Sequence, residues 1–224
     1  RGVECLLDDE SVFTVEFPHL LQLLVNKQYD TVYHEHYSYL SLLFLERICK
    51  EVGLSIFRID EIPTHGGSLR VYADKGKRGV DNSVADVLRK EVENGLNDAS
   101  AYSTFNLTVF EHKIESLKFF LELKKSGKRV AAYGAAAKGV TFLNTLGITT
   151  DTIEYVVDNN PNKQDKLLPG SRIPIVNNEY FLNNLPDVVV ILPWNLKKEI
   201  SEAIDNLTER KIDKVVFIPN PQFL

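Results

Sequence analysis

A chain of 224 residues, 44% hydrophobic and 25% charged, holds enough material for one large domain or two small ones around ordinary cores. A net charge of -5 argues mildly against the basic surface that non-specific nucleic-acid binding needs, and no apolar run approaches the roughly 20 residues of a membrane span. Cys5 and Cys49 are too few for a disulfide scaffold and lack the paired spacing of a zinc site, so a reducing cytoplasm is the expected setting. Residues 1–9 hold no uncharged apolar core and do not read as a signal peptide. The chain starts at Arg1 and contains no Met, and the first of these features suggests a fragment.

The β-branched and aromatic run 11–17, ended by Pro18, predicts a buried strand. A short helix over 19–27, a polar and aromatic loop from Tyr29 to Ser38, and a helix over 40–52 stopped by Gly53 follow. Strands are predicted over 54–59 and 68–73, joined by Pro63-Thr64-His65-Gly66-Gly67, with a basic turn over 75–79. Helices over 82–97 and 103–125 come next, the second ending in a lysine-rich run that reads as a solvated helix end. From Arg129 onwards strands (130–133, 153–157, 188–192, 215–218) alternate with helices (136–146, 177–184, 196–209), as in a parallel sheet with crossover helices. The expected boundary lies near residue 100. The front unit has three strands, a single helix of any length and no glycine-rich turn, as a doubly wound domain without its first half would.

Tyr33-His34-Glu35-His36-Tyr37 carries the most chemistry. An imidazole, with an ordinary pKa near about 6.5, accepts a proton at neutral pH; a carboxylate orients it, and a phenol stabilises a developing oxyanion. The same stretch also reads as a polar loop capping helix 40–52. A metal site is disfavoured, because His34-x-His36 has no adjacent third ligand.

His65-Gly66-Gly67-Ser68-Leu69-Arg70 reads as a ligand-approach loop or as a plain turn between strands. Gly134, Ala136 and Gly139 occupy the G-x-G-x-x-G positions of a dinucleotide fingerprint with alanine at the middle one. Lys138 adds charge, and Asp158 stands where a ribose-binding acid would. The competing reading is a close-packed strand-to-helix turn. Trp194 and Asn195 follow strand 188–192, either to stack on and hydrogen-bond a ligand or to pack between domains.

These stretches, together with Asp158-Asn159-Asn160-Pro161, Pro169-Gly170 and Ile173-Pro174-Ile175, follow one another in the order found in the sugar C-methyltransferases, which the chain resembles over nearly its whole length. Such enzymes methylate C3 of 4-keto-deoxy nucleotide sugars. The resemblance implies a partial class I methyltransferase sheet over 1–100, followed by a Rossmann-like sugar-nucleotide domain over 101–224. It implies S-adenosylmethionine as cofactor in the complete enzyme, with zinc and the cofactor turn in a preceding segment, and a nucleotide-linked keto sugar as partner. By the same similarity His36 is the base, assisted by Glu35 with Tyr33 near the substrate. His34, Tyr37, His65, Arg70, Gly134, Lys138, Trp194 and Asn195 would contact the substrate, and no metal is needed at the methyl step. Two other functions remain open: a nicotinamide-dependent oxidoreductase built on 129–218, and a non-catalytic nucleotide-sugar-binding module.

Overall fold

The computed structural model describes residues 1–224, which divide into two compact units. The first comprises Arg1–Asn26 and Tyr37–Leu107; the second comprises Lys27–His36 and Thr108–Leu224. The segment that holds most of the Tyr-His-Glu-His run is therefore separated from its sequence neighbours and grouped with the C-terminal unit.

In the first unit a short helix α1 (Gly2–Leu6) precedes strand β1 (Phe13–Pro18), helix α2 (Leu20–Val25) and helix α3 (Leu42–Glu51). Strands β2 (Ser55–Ile62) and β3 (Ser68–Asp74) and helix α4 (Asn82–Glu93) complete it. The sheet has the order β1-β3-β2 and is antiparallel throughout. β1 is not a buried strand: it alternates, with Phe13, Val15 and Phe17 turned inward and Thr14, Glu16 and Pro18 exposed, because one face of an edge strand meets water. The core gathers Leu42 and Cys49 of α3, Ile56 and Ile59 of β2, Leu69 and Val71 of β3, and Val84 and Val87 of α4. Ser41 caps α3 by accepting from the Phe44 N–H, and Asp81 caps α4 through Ser83 N–H. The basic turn after β3 is ordered by Asp74, whose buried carboxylate accepts from the N–H groups of Gly76 and Arg78.

Helix α5 (Ala99–Lys125) leads to strand β4 (Val130–Tyr133) and helix α6 (Ala137–Leu146). Strands β5 (Val156–Val157) and β6 (Ile175–Val176), helix α7 (Asn178–Asn183), strand β7 (Val188–Ile191), helix α8 (Lys197–Leu207) and strands β8 (Asp213–Val216) and β9 (Gln222–Phe223) follow. The six strands stand in the order β6-β5-β4-β7-β8-β9, parallel except for the edge strand β9. The expected parallel sheet is thus present. The strand predicted over 153–157 is only two residues long, and the two-residue β6 and β9 lie outside the predicted set.

One face of this sheet packs on Phe181 of α7 and Ile204 of α8. Elsewhere in the unit an aromatic cluster joins Phe120 of α5, Phe142 of α6 and Phe217, with the Phe120 and Phe217 rings stacked at 4.6 Å. β4 and β7 are neighbours whose onward connections run to opposite sides. The crevice at their carboxyl ends is therefore the topological switch point, where open α/β sheets hold ligands.

Candidate functional site

The switch point is bounded by the turns after β4 and β7. Gly134 takes φ +88°, and a Cβ there would come within 2.5 Å of Pro193, so the backbone that a pyrophosphate would lie along is already covered. The neighbouring Ala135 N–H donates to Asp158 Oδ2 at 2.7 Å, and Asp158 Oδ1 accepts from Asn160 N–H at 2.8 Å. Asp158, expected to hold a ribose, thus organises its own loop, and an N–H expected to face a phosphate is already engaged. Gly139 lies against Leu192, where a Cβ would approach to 2.8 Å. The fingerprint glycines serve close packing of strand, turn and helix, which argues against the nicotinamide reading. Replacing Gly134 by alanine combines a left-handed φ with overlap on Pro193. It is expected to cost about 1–3 kcal/mol, measured by urea unfolding followed by the fluorescence of Trp194, the one tryptophan of this sequence. A variant as stable as the native chain would show that the turn opens freely.

The occupant of the crevice is the chain's own segment. A 3-10 turn, Tyr29–Thr31, packs on α6, and all three of its residues are buried. Trp194 Nε1–H donates to Asp30 Oδ2 at 2.7 Å. Lys138 is buried, donates to Asn195 Oδ1 at 2.7 Å, and lies 4.5 Å from the centre of the Trp194 ring. Burial pushes the Asp30 carboxyl up to about 6, against the pull of the indole N–H and of the Lys138 charge. Burial likewise lowers Lys138, with Asp30 opposing. Lys138, Trp194 and Asn195, expected to contact a substrate, are engaged with one another and with Asp30. The gap left among Asp30, Phe142, Leu192, Trp194 and Phe217 is about 10 Å³. That is room for one water at most and far below the roughly 300 Å³ of a small-molecule site.

Tyr29 anchors the turn on its other side. Its hydroxyl lies 3.1 Å from His112 Nδ1, and His112 Nε2 lies 2.7 Å from the Phe217 carbonyl. A carbonyl only accepts, so Nε2 carries the hydrogen and Nδ1 accepts from the phenol. Burial holds His112 below the ordinary imidazole value.

The same logic fixes His36. Its Nδ1 lies 2.8 Å from the Thr31 carbonyl, so Nδ1–H is the donor, and in the neutral ring Nε2 presents a lone pair to the Tyr33 hydroxyl at 3.1 Å. The two rings are 4.3 Å apart, and both residues are half-buried. His34, Glu35 and Tyr37 are exposed. The group that orients His36 is the Thr31 carbonyl, where sequence reasoning expected Glu35.

His65 and Arg70 belong to the first unit. His65 is exposed in the turn before β3 with φ 55°. Arg70 donates through Nε and Nη2 to Glu16 Oε2 at 3.1 and 2.8 Å across β1 and β3. No three His, Cys, Asp or Glu side chains gather as a metal site.

Fold and site together define a mostly parallel α/β unit whose switch point seats the chain's own turn, Tyr29–Thr31. Residues 63–219 match the family described as the C-methyltransferase C-terminal domain, and the chain belongs to that family. It is 34% identical over 226 residues to C-methyltransferase NovU of Streptomyces niveus, a match covering 100% of this chain and 54% of that protein. The chain therefore spans about half the length of the curated relative it matches.

Proposed function

We propose that this chain is the C-terminal part of an S-adenosylmethionine-dependent C-methyltransferase, and that it supplies the base that activates a nucleotide-linked 4-keto sugar. The observation that carries the reading is His36, held in a single tautomer with Nε2 against a phenol. A ketone acidifies the neighbouring C–H. That bond breaks, the proton passes to His36 Nε2, and the electron pair spreads through the enolate to the carbonyl oxygen. The imidazolium keeps its Nδ1–H bond to Thr31, and the Tyr33 O–H, displaced from Nε2 as the substrate enters, becomes free to hydrogen-bond the developing oxyanion.

The residues of this chain do not fit the methyl donor. The first unit's sheet is antiparallel with no parallel strand-to-helix turn, and the turn after β4 is filled by Pro193 and Asp158. S-adenosylmethionine, which supplies an electrophilic methyl group, is assigned with zinc to the rest of the protein, and the chemistry assigned here ends at the enolate. The covered Gly134 and the engaged Asp158 disfavour a nicotinamide enzyme.

The test uses the full-length protein in deuterium oxide, with a thymidine-diphosphate 4-keto-6-deoxy sugar and no methyl donor. Deuterium entering the carbon beside the ketone is the expected result. If the sugar binds, as read by calorimetric titration, but exchanges no faster than in buffer, the chain is a binding module only. Tight binding of NAD in a parallel titration would overturn the methyltransferase reading.

A further inference from the structure

We propose that Asp30 is a positioning residue for His36: through its hydrogen bond to Trp194 it locks the 3-10 turn whose Thr31 carbonyl sets the histidine's tautomer and direction. The inference rests on the reading of His36 as the base. Three consecutive residues face three different tasks. Tyr29 bonds to His112 on α5, Asp30 bonds to Trp194 beyond β7, and Thr31 accepts from His36. The turn is closed by its own bonds, with Thr31 N–H and Oγ1–H both donating to the Gln28 carbonyl at 3.0 and 2.7 Å and Val32 N–H donating to the Tyr29 carbonyl. Displacing Asp30 therefore displaces the Thr31 carbonyl, because one residue of a closed turn cannot move alone.

Asp30 is 1% exposed, and burying its carboxylate is costly even with the Trp194 indole, the Lys138 charge and the nearby backbone N–H groups of Asp30 and Thr31 favouring it. Its one side-chain bond, from the Trp194 indole at 2.7 Å, ties the base-bearing loop to the end of β7. Lys138 supplies the countercharge and is steadied by Asn195 and the Trp194 ring, so residues 100 and more positions distant in sequence converge on the loop.

The test takes the full-length protein labelled with 15N-histidine. The ring signals of His36 are assigned by their loss in His36→Asn. In the native protein His36 gives the signature of a protonated Nδ1 and a bare Nε2. Asp30→Ala also strips Lys138 of its neighbouring charge, so Trp194→Phe, which keeps a ring and removes one N–H, is the deciding variant. Expected for both is loss of the fixed His36 tautomer with the His112 signature retained. The turnover number for deuterium uptake into a thymidine-diphosphate 4-keto-6-deoxy sugar falls about 10²-fold, the scale set by an ångström of misplacement, with KM unchanged. Trp194→Phe with a native His36 signature and native turnover overturns the proposal. If the native protein catalyses no exchange, the base reading fails, while the His36 ring signature still decides whether Asp30 positions the loop.

Discussion

Replacing His36 by asparagine is expected to lower deuterium uptake at the carbon beside the ketone by about 10²–10⁴-fold, the usual contribution of a positioned general base. Asparagine preserves polarity and approximate reach, and its amide can still donate to the Thr31 carbonyl that now accepts from Nδ1 at 2.8 Å. What it removes is the basic lone pair at Nε2. Because Thr31 fixes the hydrogen on Nδ1, Nε2 carries the lone pair throughout the neutral population, and a bound substrate has only to displace the Tyr33 O–H that donates to it. Binding of the sugar, measured by titration, should change little, so the loss falls on turnover. Tyr33→Phe is expected to be milder: it removes the phenol 3.1 Å from Nε2 but leaves the base in place. Uptake unaffected in His36→Asn would move the proton abstraction to another group, and His34, exposed two residues earlier, would be the first to replace.

The elements that were legible in the sequence are those whose own side chains carry the period. Residues 188–192 and 130–133 are continuous hydrophobic runs, and they became the fully buried central strands β7 and β4. The two-residue strands β6 and β9 carry no such period; they exist because a neighbour's ladder reaches them. The Tyr-His-Glu-His run was legible as chemistry because acid–base side chains crowd together there. Its orienting group was not, since a backbone carbonyl such as that of Thr31 leaves no mark in a sequence.

Asp30 was invisible for a different reason. An aspartate in a polar loop is ordinarily solvated, and only the fold brings Trp194 to it from 164 positions away. Two other buried polar groups did leave a trace. His112 shares a helix face with Ser116, Phe120 and Leu123, spaced by four, four and three. Glu91 stands four and seven residues after Val87 and Val84 on the core-facing side of α4. A polar residue on an apolar stripe is the readable sign of a buried network, and both positions were available to that reasoning.

Glu91 is where the largest loss of stability is expected: Glu91→Ala should cost about 3–5 kcal/mol. The side chain is fully buried and accepts from His19 Nε2 at 2.7 Å, Leu42 N–H at 2.6 Å and Leu43 N–H at 2.8 Å. The last two are among the N–H groups that the start of α3 cannot satisfy internally, so a carboxylate from α4 caps α3 alongside Ser41 and meets the positive end of its dipole. Truncation leaves three donors without an acceptor, two of them buried, and opens a cavity in the same step. Glu91→Gln keeps one acceptor oxygen and should lose less. Urea unfolding of the two variants is the measurement; a loss below about 1 kcal/mol for alanine would mean that water reaches these donors. One carboxylate thus holds both His19, at the start of α2, and Leu42, at the start of α3. Under conditions where Glu91→Ala stays folded, hydrogen exchange should quicken first at α2 and the first turn of α3, whose ends the carboxylate holds.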